Sequence, residues 1–209
     1  TTSGIYGNGI HCSSPTHCVA VMEGAFASIK VTRDGGKTWK KILFVDDKTG
    51  CVEVKMHPKN TDILIVAMYE RQRDGFDTND PAKRWGPGSG IYKTTDGAES
   101  WVAVNKGLDP YTNDIQMDPI NPEVLYVASE TGVYKTINGA KNWEKASNGI
   151  PKGAVIDMAM DPLNPLVLYA ITPEDIYRTQ DGAEHWYPVN LGIPLLKDDS
   201  KTLSVQDRL

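Results

Sequence analysis

The sequence predicts an all-β fold of repeated four-stranded units, and three features of its 209 residues carry that prediction. Glycine (19), proline (13), tyrosine (9) and tryptophan (5) are plentiful while phenylalanine is scarce (3), a composition that suits short strands joined by tight turns. A nine-residue box recurs four times without gaps, at Val31–Trp39, Lys93–Trp101, Lys135–Trp143 and Arg178–Trp186. Each copy reads Thr, one spacer, Asp or Asn, Gly, a small residue, two variable positions and Trp. The acidic positions fall at 34, 96, 138 and 181, so the unit is 42 or 43 residues and the second copy carries about 20 more. Strand-like runs repeating roughly every 40 to 50 residues define a β-propeller blade of four antiparallel strands.

Blades are predicted at about 10–45, 51–105, 113–146 and 154–189, with an insertion at 70–89 and a tail at 190–209, all within one propeller domain or part of one. Four boxes are too few for a large closed ring, which leaves a small, open or partner-completed one. In the tail, Leu195-Leu196 and Thr202–Val205 are candidates for a closing strand. A start at Thr1 without a charged-then-apolar leader is expected of a processed chain or a piece of a longer one.

In the first blade, Cys12 and Cys18 enclose only Ser13–His17, a loop short enough to be bridged across a turn. A disulfide, two free thiols and a zinc site with His11 and His17 are the three readings. The zinc reading suffers because His11 and Cys12 are strand neighbours that face opposite ways. Cys51, between apolar neighbours, reads as a small buried hydrophobe. The third blade parses most cleanly. Asp114–Met117 is its inner strand, Asp118–Pro122 a turn that proline keeps out of the ladder, and Val124–Ala128 a buried strand. Gly132–Lys135, the Asn138-Gly139 turn and the outer strand Trp143–Lys145 complete it. The Asp-Pro-x-Asn-Pro turn recurs at 161–165, and His57 holds its acidic position in a weaker copy at 56–65.

The box explains itself physically. Its Asp and Thr side chains bond backbone groups of their own turn, Gly tolerates positive φ, and Trp folds beneath the hairpin with its indole N–H free to find a carbonyl. Asp34, Trp39, Asp96, Trp101, Asn138, Trp143, Asp181 and Trp186 are therefore read as structural, with no chemistry implied.

These boxes resemble the Asp-box of BNR-repeat propellers, found in sialidases, family 74 glycoside hydrolases, the sortilin-type VPS10 domain and the photosystem II stability/assembly factor. Ile42–Gly50, Ala67–Asp77 and Gly86–Lys93 are similar to large secreted bacterial sortilin-like and BNR-repeat glycosyl-hydrolase-like proteins. His11–Val21 looks more like the cysteine-bearing blades of assembly-factor-like propellers. Two departures stand out: the second box glycine survives only as Gly36, becoming Ala98, Ala140 and Ala183, and Asn138 replaces Asp in the third box. Both are expected to keep the turn while loosening its polar satisfaction.

Composition narrows the function. Twenty-two basic against 27 acidic residues, without like-charge blocks, exclude a nucleic-acid backbone binder. No run approaches the length of a membrane-spanning helix. The four histidines sit in repeat positions and give no nucleophile-and-base arrangement. No cofactor or metal is expected.

The insertion exceeds what a scaffold requires. It interleaves Arg71, Arg73 and Arg84 with Phe76, Asp77 and Trp85, a favoured binding composition, although a self-paired loop covering a blade edge is the plainer reading. Asp74, Asp77 and Asp80, three residues apart, are a candidate cation cluster but lack the Gly-and-Glu pattern of a known calcium loop. The function that follows is a non-catalytic extracytoplasmic scaffold recognising protein, or a second copy, through the loop face or an open blade edge. Connectors near 46–50, 108–112 and 150–153 would join the insertion on that face. The resemblance implies two alternatives, a carbohydrate-active glycoside hydrolase and an assembly factor of a photosynthetic membrane complex. Neither a sialidase's convergent arginines nor a family 74 carboxylate pair transfers residue by residue.

Overall fold

The computed structural model describes residues 5–24, 28–46, 49–70, 86–109 and 111–189. Short strands joined by turns rich in Gly, Pro, Asn and Asp pair only with their sequence neighbours and so build meanders. The first sheet is β1 (Ile5–Cys12), β2 (Cys18–Gly24), β3 (Ser28–Thr32) and β4 (Lys40–Leu43). The second is β5 (Thr49–Met56), β6 (Leu64–Glu70), β7 (Gly90–Thr94) and β8 (Val102–Ala103). The third is β9 (Thr112–Met117), β10 (Leu125–Ser129), β11 (Gly132–Thr136) and β12 (Glu144–Lys145). The fourth is β13 (Asp157–Met160), β14 (Leu168–Ile171), β15 (Ile176–Thr179) and β16 (Tyr187–Pro188). All four sheets are antiparallel with strands in sequence order. Inner strands β1, β5, β9 and β13 lie beside one another in turn, and among the described residues the arc is open between the fourth blade and the first.

Period-2 alternation gives each sheet two faces, and each buried face becomes half of a joint. Val19, Val21 and Ile29 of the first blade pack on Val54, Val66 and Met68 of the second. Ile65 and Ile91 meet Leu125 and Trp143, while Tyr126 and Val133 meet Leu168 and Trp186. The core is therefore three inter-blade seams.

The boxes lock each blade's outer hairpin. Thr32 Oγ donates to Asp34 Oδ1 at 2.8 Å and accepts from Gly36 N at 2.9 Å, and Asp34 accepts from Thr38 N at 2.9 Å and Thr38 Oγ at 2.5 Å. The second and fourth boxes repeat this with Thr94/Asp96/Ser100 and Thr179/Asp181/His185. Contrary to expectation, Asn138 loosens nothing. Its Oδ1 accepts from Thr136 Oγ and Asn142 N, and its Nδ2 donates to Asn142 Oδ1, so a paired amide replaces the hydroxyl-to-carboxylate bond. Ala98, Ala140 and Ala183 take the left-handed φ of glycine, at 77°, 71° and 71°. That costs about 1–2 kcal/mol apiece. Each alanine is buried in a seam and donates its N–H to the box Thr hydroxyl, which offsets the strain.

Tryptophan corrects the picture of a self-contained box. Trp101, Trp143 and Trp186 donate their indole N–H to Ile42 O, Val104 O and Ala146 O of the preceding blade, at 3.0, 2.8 and 2.8 Å. The plug therefore belongs to the joint rather than to its own hairpin. Trp39 departs from the expected burial. It is 39% exposed because no blade precedes it among the described residues, whereas Trp186 is 2% exposed.

A second fastener ties each box to the first turn of its own blade. Gly97 N donates to Asp62 O, Gly139 N to Glu123 O and Gly182 N to Leu166 O. In the first blade the partner is Thr16 O, inside the loop closed by the Cys12–Cys18 disulfide. The disulfide loop thus occupies the place of the Asp-Pro-x-Asn-Pro turn. In the weaker copy His57 Nδ1 accepts from Lys59 N and Asn60 N, as Asp118 Oδ1 does from Ile120 N and Asn121 N. Cys51 is a buried thiol outside any disulfide, and burial pushes its pKa far up, in keeping with a core role.

Box hydrogen bonds hold the carboxylates ionised. Thr38 holds Asp34 at about 2, Ser100 depresses Asp96, and the His185 N–H depresses Asp181. A carboxylate with a lowered folded pKa stabilises the fold above its unfolded pKa and loses that contribution as pH falls through the folded value. The melting temperature should therefore hold above about pH 5 and fall between about pH 4 and 2. Amide exchange in that window should rise at the first, second and fourth boxes before the third, where Asn138 does not titrate. Separately, Trp143→Phe should cost about 1 kcal/mol for the lost indole bond, and Trp143→Ala about 3–5 kcal/mol, read from denaturant midpoints.

Candidate recognition face

Strand register divides the loops between two faces. Thr49 pairs with Glu70 at one end of β5 and β6, while Met56, Leu64 and Thr94 meet at the other. The boxes and first turns share the latter end. The root of the insertion, the outer-to-inner connectors and the β10–β11 turn share the former, as the sequence order implies. Arg71, Arg73, Phe76, Asp77, Arg84 and Trp85, together with Asp74 and Asp80, lie outside the described residues.

The insertion's root is firmly built. Glu70 is 3% exposed, its N–H donates to Ser89 Oγ at 2.8 Å, and its Oε2 accepts from Gly88 N at 3.0 Å. Tyr92 OH donates to Gly88 O at 3.2 Å, and Asp46 Oδ1 accepts from Thr49 N at 2.7 Å. Glycine is required here. A Cβ on Gly86 would stand 2.0 Å from Glu70 Oε2, and one on Gly88 would stand 2.1 Å from Thr49 Oγ1. Burial, with Asp46 and Glu70 nearby, raises the Tyr92 pKa, so its phenol stays a hydrogen-bond donor.

On the same face, a groove of about 340 Å³ lies between the third blade and the connector that leaves it. Lys145 and Lys152 edge it, Thr131, Ser147, Asn148, Ile150 and Pro151 make the rest of its wall, and among the described residues no carboxylate lines it. The Ser147 hydroxyl accepts from Val133 N at 2.8 Å and Trp186 N donates to Asn148 O, which fixes the connector that forms the wall. Of the predicted connectors, Ile150, Pro151 and Lys152 line this groove, and Asp46 and Thr49 lie at the insertion root. Leu108 is instead buried in the second seam. A larger groove of about 410 Å³ opens on the box face, where Glu144 and Glu184 accompany Lys135 and Lys145.

Two carboxylates from different blades meet near the axis. Met158 N donates to Asp157 Oδ1 at 2.9 Å and to Asp114 Oδ2 at 3.2 Å, and Asp114 also accepts from Gln116 Nε2 at 2.8 Å. Burial raises the Asp114 pKa, opposed by the Gln116 bond and by Lys55. Retaining glycosidases space two carboxyls about 5 Å apart, but both groups must reach substrate. Asp114 is buried beneath Gln116 and the β13 backbone, so the pair serves as a seam between β9 and β13. Among the described residues no cluster of His, Cys, Asp or Glu has the makings of a metal site.

Sequence reasoning missed the basic residue immediately before the box Thr. Lys93 Nζ donates to Gly139 O and Lys135 Nζ to Gly182 O, both at 2.8 Å across a joint. The signal was present, since Lys93, Lys135 and Arg178 align while the first box has Val31.

No protein-family model and no curated protein matches the chain. Solved structures do. The crystal structure of an ancestral GH74 enzyme is 20% identical at a TM-score of 0.69, over 90% of this chain and 26% of that one. The Niastella koreensis GH74 enzyme is 17% identical at 0.61, over 87% of this chain and 30% of that one. YCF48 bound to D1 peptide is 18% identical at 0.58, over 90% of this chain and 56% of that one. The chain thus spans about a quarter to just over half of these relatives. The likeness, with the four meandering sheets, makes this an all-β propeller in an open arc.

If Glu70 anchors the insertion, Glu70→Ala should speed proteolytic cleavage between β6 and β7 several-fold while Glu70→Gln stays near the parent. Equal cleavage of all three would contradict the anchoring role.

Proposed function

We propose that this propeller arc is a non-catalytic extracytoplasmic scaffold. Through the face bearing the insertion, it recognises protein segments that carry a carboxylate. The observation that carries this reading is the groove edged by Lys145 and Lys152 and, among the described residues, lined by no acid, on a chain whose net charge is −5. A pair of lysines at the edge of a groove selects acidic ligands by steering and by charge-assisted hydrogen bonds. The connectors that form its wall are held by backbone bonds, so little ordering entropy opposes binding. A peptide bound to the YCF48 propeller supports protein recognition by this fold. The Cys12–Cys18 disulfide suits an oxidising compartment.

A second reading, a glycoside hydrolase or part of one, rests on the GH74 neighbours. It wants two accessible carboxylates facing a cleft, and the buried Asp114 argues against its one candidate pair.

The test is fluorescence anisotropy with a peptide array varied in acidic content, set beside a polysaccharide turnover assay. Acidic peptides should bind, and Lys145→Glu with Lys152→Glu should weaken them about tenfold or more, about 1.4 kcal/mol. Polysaccharide cleavage, or peptide binding indifferent to both substitutions, would overturn the reading.

A further inference from the structure

Each inner joint is made of the same complementary parts. The earlier blade offers a carbonyl three residues beyond its box Trp, which accepts the next blade's indole N–H. In the two later joints the earlier blade also sends a lysine, from the position before its box Thr, to the next blade's box Gly carbonyl.

The fourth blade presents every part of an earlier blade with no later blade against it among the described residues. Tyr169 and Ile171 are 40% and 41% exposed, where their counterparts Tyr126 and Ala128 are buried. Arg178 aligns with Lys93 and Lys135, and its Nε is buried without a hydrogen-bond partner. Val189 follows Trp186 by three residues, as Ala146 follows Trp143. The first blade presents the other half. Trp39 is partly exposed, and Ile10 is 63% exposed where the equivalent Val54 and Ile115 are fully buried.

We propose that these faces are the two halves of one further joint, formed between two copies of this chain. The fourth blade of one copy receives the first blade of the other. Arg178 then donates to the other copy's Gly35 carbonyl, the other copy's Trp39 indole donates to the Val189 carbonyl, and Tyr169 and Ile171 bury the exposed Ile10. A second copy is the fitting occupant because the chain itself holds both halves, and its inner joints show how they engage. Such a head-to-tail contact closes into a ring when made twice between two copies. The new joint is weaker than the inner ones. Lys30 stands where Tyr92, Tyr134 and Tyr177 pack in the later blades, so the first blade's face is more polar and the pairing reversible.

Light scattering behind size exclusion, at about 1 and 100 µM, tests this. At the higher concentration the mass should be twice the 23.0 kDa of one chain. Ile171→Asp, on an exposed position, should return it to one chain with an unchanged melting temperature. Trp39→Phe should weaken the pairing several-fold. A single-chain mass at both concentrations would overturn the proposal, as would a dimer that Ile171→Asp leaves intact. So would a monomer whose Trp39 indole resists hydrogen exchange, because the chain then covers its own face.

Discussion

The indole N–H of each box tryptophan, aimed at a backbone carbonyl of the preceding blade, is the contact on which the rest of the arc depends. A four-stranded meander of this length buries too little surface to stand alone, and its flat faces offer no unique register to a neighbour. The tryptophan supplies both needs. Its ring fills the wedge between sheets, and its single donor fixes how far one blade slides along the next. The Thr-Asp pair, Thr-Asn in the third box, keeps the hairpin that carries it closed. Alanine in a left-handed conformation, unfavourable in isolation, is accepted three times because its methyl completes the same wedge.

That division of labour explains what the sequence made legible. The box, its 42-residue spacing and the Asp-Pro-x-Asn-Pro turn are local devices, each satisfied within a few residues, so a single sequence displays them. The strands of the third blade were readable for the same reason. Long-range partners were not. Nothing near Trp143 says that its donor reaches Val104, and nothing near Lys135 names Gly182, although the aligned basic residues hinted at a shared duty. Asp114 illustrates the limit from the other side. Its residue type suggests chemistry, but only the neighbouring strand β13 reveals that it is a buried seam. The binding residues proposed on the insertion are a separate matter, since Arg71 to Trp85 lie outside the described residues and the face is argued instead from the insertion's root and the lysine-edged groove.

The two faces of the arc carry different tasks. Turns and boxes knit one face with backbone bonds, and the disulfide loop substitutes for a turn there, so that face holds shape. The opposite face collects the outer-to-inner connectors, whose Leu108 and Ile150 enter the seams, and the root of the inserted loop. The recognition proposed for that side would follow the common use of loops on rigid scaffolds. The box carboxylates, ionised throughout the neutral range, add stiffness to the first face and no reactivity.

Hydrogen exchange of the five indole N–H groups, followed by NMR in the Ile171→Asp background, addresses the joint mechanism most directly. The account predicts slow exchange for Trp101, Trp143 and Trp186, each tied to a carbonyl across a joint, and exchange near the rate of an open side chain for Trp39. Uniformly fast exchange would mean that the blades are not fastened through these groups, and the architecture would need another cause.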